Sequence, residues 1–136
     1  MEEDTLDSEA DILSRFALAA IYYATGGNQW TQTTGWLSQS PACDGWYGIL
    51  CNSGGIVTEI ELRGNNLTGE LPAALILLPA LKVLWLDANE LKGPLSGDLF
   101  LEIPNLQFLY IQNNKLTGPI PDTLLANGNK LGTHQK

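Results

Sequence analysis

The sequence predicts an α/β solenoid, with a parallel β-sheet on the concave face and short 3₁₀ or helical segments on the convex side. Three segments of nearly the same layout, offset by 24 and then 25 residues, begin at Val57, Leu81 and Leu106. Each follows the pattern apolar-x-x-apolar-x-apolar-x-x-Asn-x-Leu. A fixed period in this range is typical of stacked repeats. The first 56 residues lack the pattern, as expected for a covering cap at the end of a stack.

Each repeat contains a short segment in which apolar residues alternate with others, as in Ile60-Glu61-Leu62. This period of two is typical of a half-buried strand. Stacking the units would place these strands side by side and parallel. We therefore predict a repeat domain over residues 57–131, with repeats at 57–80, 81–105 and 106–130. A tail at 132–136 would follow it.

An asparagine follows each predicted strand, where the chain must turn. An amide side chain both donates and accepts hydrogen bonds, so it can satisfy buried backbone groups. We therefore predict a structural ladder formed by Asn65, Asn89 and Asn114. Segments with Gly and Pro come next, and proline is expected to end regular pairing there. The apolar stretches at 75–78, 99–103 and 124–126 are too short for independent helices, which favours one turn of helix or 3₁₀.

The segments after the asparagines carry the most specific resemblance. Leu67-Thr68-Gly69-Glu70-Leu71-Pro72 and Leu116-Thr117-Gly118-Pro119-Ile120-Pro121 resemble the plant-type leucine-rich repeat family. The middle repeat departs from that form at Leu95-Ser96. The family includes receptor-kinase ectodomains and secreted inhibitors of polygalacturonase. The resemblance implies a non-catalytic module that binds a partner on its concave face.

Residues 1–56 are predicted to form an N-terminal helical cap. Ser8 followed by Asp11 matches a capping box, and Thr25-Gly26-Gly27 supplies a helix stop, so we expect a helix over about 8–25. A Trp-rich loop follows. Its three tryptophans are expected to fill the cap core, with sugar stacking by one of them as the alternative: Trp30, Trp36 and Trp46.

The only two cysteines lie in this cap. The pattern Cys-x-x-Trp-x-Gly-x-x-Cys from Cys43 to Cys51 is similar to the cap motif of plant-type repeat proteins, with one extra residue. The resemblance implies a Cys43–Cys51 disulfide and an oxidising compartment, either extracellular or an organelle lumen. No secretory signal is visible. Secretion would be consistent with this absence if the chain is a mature form or an excised piece of a longer protein. Asn66-Leu67-Thr68 is a sequon, so Asn66 is a candidate glycosylation site.

Composition argues against several classes of function. The net charge is −8, and no basic patch exists to meet nucleic-acid phosphates. No apolar run is long enough to span a membrane. The single histidine, His134, has no partner pattern for nucleophilic catalysis. Glu59 and Glu61 could form a carboxylate pair, but an open sheet is not expected to shift their pKa values. We predict no enzyme activity, no cofactor and no metal.

The strand residues that point away from the core define the predicted binding face. Aromatic or apolar residues occupy four positions where polar ones are usual: Trp85, Tyr110, Phe108 and Val83. Clustered exposed aromatics often mark binding, although cross-strand packing alone could also explain them. We predict a protein, peptide or glycan ligand, selected by polar neighbours: Glu61, Arg63, Asp87 and Gln112. Arg63 and Asp87 are expected to form a surface ion pair.

Two alternative functions remain open from the sequence. Leu131 begins a fourth repeat with no cap after it, so the chain could be an assembly subunit or could self-associate through that end. The residues expected there are apolar: Leu116, Ile120, Leu124, Leu125 and Leu131. The other alternative is a hydrolase-inhibitor-like protein, for which three repeats give a short concave surface.

Overall fold

The computed structural model describes residues 8–95, 97–119 and 130–131. The predicted tail at 132–136, His134 and three of the apolar residues assigned to the C-terminal end lie outside these ranges: Ile120, Leu124 and Leu125.

The chain begins with helix α1, Glu9–Ala24. Ser8 caps it, because its hydroxyl accepts a hydrogen bond from the Asp11 backbone N–H at 3.0 Å. The Asp11 carboxylate accepts a hydrogen bond from the Ala42 N–H at 2.8 Å and pairs with Arg15 at 3.2 Å. It therefore ties α1 to the loop that follows.

The three cap tryptophans form a connected aromatic cluster against α1. Each is less than 8% exposed, and ring centroids lie 4.8 Å apart for Trp30 and Trp36 and 5.3 Å apart for Trp36 and Trp46. Tyr22 of α1 extends the cluster, 5.2 Å from Trp30. The indole N–H of each of these tryptophans donates to a backbone carbonyl, so none of the three is buried without a hydrogen bond. The bonds run from Trp30 to Thr25, from Trp36 to Tyr47 and from Trp46 to Ser40.

A five-stranded sheet joins cap and repeats in the order β1-β2-β3-β5-β7. Its strands are β1 (Ile49–Cys51), β2 (Val57–Glu61), β3 (Val83–Trp85), β5 (Phe108–Tyr110) and β7 (Lys130–Leu131). The strands from β2 onward are parallel, whereas β1 pairs with β2 in the antiparallel sense. The cap therefore supplies an edge strand, which the sequence pattern did not indicate.

A second, two-stranded parallel sheet corrects the expectation that pairing stops in the Gly- and Pro-containing segments. It is formed by β4 (Lys92–Pro94) and β6 (Lys115–Thr117). Pro94 is the last residue of β4, a position where a missing N–H interrupts no internal ladder. The segments that lead from one main-sheet strand to the next also contain short helices. These are a 3₁₀ helix, Ala73–Leu77, in the first repeat and helix α2, Gly97–Leu101, in the second.

The repeat asparagines link neighbouring units through their backbones. The side-chain amide of Asn89 donates to the carbonyls of Leu62, Leu86 and Asp87, and its oxygen accepts from the N–H groups of Asn65 and Leu67 at 2.9 Å each. Asn114 repeats this arrangement one unit later, with bonds to Leu86 and Leu91. Asn65 bonds both backbone groups of Gln32, which fastens the first repeat to the cap.

Candidate functional site

The predicted aromatic residues come together on the outer face of the main sheet. The strand register places Glu61, Trp85 and Tyr110 in one row and Glu59, Val83 and Phe108 in the row beside it. The Trp85 and Tyr110 ring centroids are 4.7 Å apart, and Tyr110 lies parallel to Phe108 at 6.4 Å. All three rings are half-buried, because each covers part of its neighbour.

Arg63 extends this aromatic row toward the next turn. Its guanidinium lies 5.5 Å from the centroid of the Trp85 ring, within the range of a cation–π contact. Its Nη2 is 3.3 Å from Oδ2 of Asp87. The pair differs from the expected surface ion pair, since the Asp87 side chain is only 6% exposed whereas that of Arg63 is 62% exposed.

Two buried oxygens beside the aromatic row lack a hydrogen-bond partner among the described residues. They are Oδ1 of Asp87 and Oε1 of Gln112. These residues occupy matching positions on neighbouring repeats, where the Ala88 N–H donates to the Gln112 carbonyl. Asp87 was predicted to help select the ligand, but its buried carboxylate is poorly accessible to one. Arg63 is the exposed member of the pair.

Glu59 and Glu61 form a carboxylate pair at the other side of the face. Partial burial raises the pKa of Glu61 above its ordinary value of 4.5, and hydrogen bonding to Glu59 and the charge of Glu59 raise it further. For Glu61, this corrects the expectation that an open sheet leaves the pKa unshifted. β1 pairs with β2 at Leu50 and Glu59, so the two glutamates lie on a strand that has neighbours on both sides.

The remaining predicted residues occupy separate places. Cys43 and Cys51 form a disulfide with Cα atoms 5.8 Å apart. Asn66 is exposed, and its amide donates to the Gln29 carbonyl at 3.0 Å. Leu116 is half-buried in β6. Within the described ranges, no three His, Cys, Asp or Glu side chains group closely enough to hold a metal ion, and no helix is long and apolar enough to cross a membrane.

These features define a class of protein. Residues 57–116 match the family model for the leucine-rich repeat. Repeats of this class stack into continuous surfaces rather than enclosed clefts.

Plant receptors are among the proteins most similar to this chain. A leucine-rich repeat receptor-like serine/threonine-protein kinase, SKM1 of Arabidopsis thaliana, is 39% identical over 56 residues, which are 40% of this chain and 6% of that relative. The ectodomain of the Arabidopsis receptor kinase HAESA, solved in complex with an N-terminally extended IDA peptide hormone ligand, gives a TM-score of 0.76 at 27% identity. That match covers 91% of this chain and 21% of the HAESA chain.

A shorter ectodomain matches over most of its own length. The BIR2 ectodomain of Arabidopsis thaliana gives a TM-score of 0.67 at 25% identity, covering 93% of this chain and 70% of that one. The chain therefore spans only a small part of the curated relative and of HAESA, but 70% of the BIR2 ectodomain.

Proposed function

We propose that this chain is a non-catalytic recognition module, and that the concave, outer face of its main sheet binds an extended peptide or protein segment. The single observation that carries this is the aromatic row, in which Trp85, Tyr110 and Phe108 contact one another while part of each ring stays open to solvent. Buried aromatic anchors with nearby arginine are typical of binding hot spots.

The charges around the row favour a peptide over a neutral glycan. Arg63 stands at one end of the face, whereas Glu59 and Glu61 stand on β2 beside Val83 and Trp85. Neighbouring strands are about 4.8 Å apart, so the face from β2 to β5 is about 10 Å wide and accommodates about three residues of an extended chain. A ligand this short depends on a few anchoring side chains. The peptide hormone named with HAESA is consistent with this mode of binding.

We propose a cap at residues 1–56 and repeats at 57–131 as the units of this module. Two contacts join these units into one module: β1 of the cap continues the sheet of the repeats, and Asn65 bonds the backbone of Gln32. The disulfide fits an oxidising compartment, and we propose an extracellular or lumenal location. The C-terminal assembly surface stays a prediction, since most of its residues lie outside the described part of the chain.

Selection of short random peptides on the immobilised chain, followed by calorimetric titration, tests the proposed face. A selected peptide should bind Trp85→Ala about 2 kcal/mol more weakly, which is roughly 30-fold, if the ring is a hot spot. Ile76→Ala is the matched control, because Ile76 is an exposed apolar residue on the 3₁₀ helix outside the sheet. Equal affinity for the wild type and Trp85→Ala would overturn the assignment.

A further inference from the structure

Helix α1 is apolar on two opposite faces. Its buried face packs on the cap core through Ser14, Ala17, Leu18 and Ile21. The opposite face carries Ile12, Phe16 and Tyr23, which are 53%, 62% and 72% exposed. The face of a surface helix that is opposite its buried face normally carries polar residues. The outer face of α1 therefore has the composition of a contact surface.

The exposed residues form one continuous stripe with a groove beside it. Ile12, Phe16, Ala19 and Tyr23 are spaced by four, three and four residues, so they align along one side of the helix. The groove is shallow and open, and it lies between this stripe and Leu37, with Trp46 also lining it. Leu37 has φ +66°, a strained conformation for a leucine, and its side chain stays 40% exposed.

We propose that this face, the α1 stripe with Leu37, binds a second copy of this chain across a two-fold axis. The face carries both a protruding ring, Phe16, and a groove next to it. A two-fold interface requires such self-complementarity, because the same patch serves on both partners. Ala19, next to the centre of the stripe, has a small side chain that lets two helices approach closely. In an antiparallel pair, Phe16 of each copy enters the groove of the other beside Ala19.

The charges select the antiparallel orientation. Glu9 and Asp11 lie in the first turn of α1, and no basic residue lies in its last turn. A parallel pair would place four carboxylates together. An antiparallel pair separates the two acidic ends by about the length of the helix, on the order of 24 Å, which exceeds the screening length at physiological salt.

The two exposed rings of the stripe supply part of the area that a stable interface needs. A fully exposed aromatic side chain presents roughly 150–250 Å², so Phe16 and Tyr23 together expose about 250 Å². A stable interface buries about 800 Å² on each partner, and these two rings supply about a third of it. Ile12, Leu13 and Leu37 add further exposed apolar surface.

Other occupants fit this face less well. A membrane surface attracts helices with basic polar faces, whereas Arg15 is paired with Asp11 and the first turn is acidic. The seven residues before Ser8 include four acids, so they offer little apolar side chain to cover the stripe.

Sedimentation velocity across a range of concentrations tests the proposal on the 136-residue chain. The wild type should form a dimer, and Phe16→Glu should weaken that dimer at least tenfold. Ile76→Glu places the same charge on an exposed apolar site away from α1, and should dimerise like the wild type. A wild type that is monomeric at every concentration would overturn the proposal, as would a dimer insensitive to Phe16→Glu.

Disulfide trapping tests the orientation without disrupting the apolar contacts at Phe16. Both native cysteines are paired with each other, so an added cysteine is the only reactive thiol. A mixture of Ile12→Cys and Tyr23→Cys chains should form the mixed cross-link. Ile12→Cys alone should not, because its two copies lie about 16 Å apart along the antiparallel pair. Efficient self-linking of Ile12→Cys would overturn the antiparallel arrangement, and absence of the mixed link would overturn the proposed contact.

Discussion

Arg63, in the turn after β2, contacts Trp85 of β3, with the guanidinium carbon 5.5 Å from the centroid of the indole ring. The same guanidinium pairs with the buried Asp87 carboxylate. The exposed Arg63 side chain therefore contacts the aromatic row and also neutralises a buried charge. Substitutions at Arg63 should affect the stability of the fold as well as the proposed binding face.

Removal of Arg63 should leave the Asp87 carboxylate without its ion-pair partner. We expect Arg63→Ala to lower the free energy of unfolding by about 1–2 kcal/mol, less than for a fully buried pair because Arg63 is largely exposed. Asp87→Asn should cost under about 1 kcal/mol, since a neutral amide of the same shape needs no ion-pair partner. Urea unfolding of both variants and of the double variant checks this. Strict additivity would show that the two side chains are uncoupled.

The asparagine ladder should be most sensitive at its centre. Asn89 is 4% exposed and makes five hydrogen bonds to backbone groups of two repeats. We expect Asn89→Ala to lower the free energy of unfolding by about 3 kcal/mol, because several buried groups lose their partner. Asn114→Ala is the matched control and should cost about half as much, since water can reach this half-buried site. Equal losses, measured by chemical unfolding, would contradict the role of burial.

The carboxylate pair should make stability depend on pH in the acidic range. The pKa of Glu61 is raised in the folded state, so the unfolded chain releases this proton first as the pH rises above about 4.5. The contribution of Glu61 to stability is therefore present below that pH and is lost as the pH rises through the raised pKa. Glu61→Gln should be more stable than the wild type at pH 7, with a difference that shrinks toward pH 4.

Urea midpoints at several pH values measure this effect. Glu102→Gln controls for the loss of one negative charge, because Glu102 is exposed and lies outside the sheet face. A Glu61→Gln difference that is constant from pH 4 to pH 7 would show that the glutamate pair is not its cause.

The cap disulfide should stabilise the fold by restricting the unfolded chain. Cys43 and Cys51 are separated by 8 residues, and loop closure over this length corresponds to about 2.5 kcal/mol, on a model-dependent estimate. Replacing both with alanine should lower the free energy of unfolding by that amount. Reductant should destabilise the wild type and leave the double variant unchanged. A wild type unaffected by complete reduction would exclude a stabilising role.

Sequence periodicity predicted the features that repeat, but not the contacts between cap and repeats. The positions of Ile60, Leu84 and Leu109 in the pattern correctly indicated strand residues facing the core. The pairing of β1 with β2 was missed, because a strand of three residues that occurs once has no period to detect. Pairing of β4 with β6 was missed because Gly93 and Pro94 are unfavourable in strands taken singly.

The candidate site shows the same division. Alternation along each strand was enough to place Trp85, Tyr110 and Phe108 on one face, since side chains of a strand alternate strictly between its two sides. The depth of Asp87 and the raised pKa of Glu61 were not predictable. Both properties depend on how far the neighbouring strands cover these side chains. The local pattern of a single sequence carries no information about that packing.

The sequence by itself determined the repeat, the order of its strands and the side of the sheet on which each strand residue lies, because these follow from local periods of two and about 24 residues. Only the tertiary structure decided which side chains are covered. It buried Asp87 beneath Arg63, set Glu59 and Glu61 beside a strand of the cap, and left Phe16 and Tyr23 exposed opposite the core. Burial is a property of the packed neighbours, and those neighbours are distant along the chain.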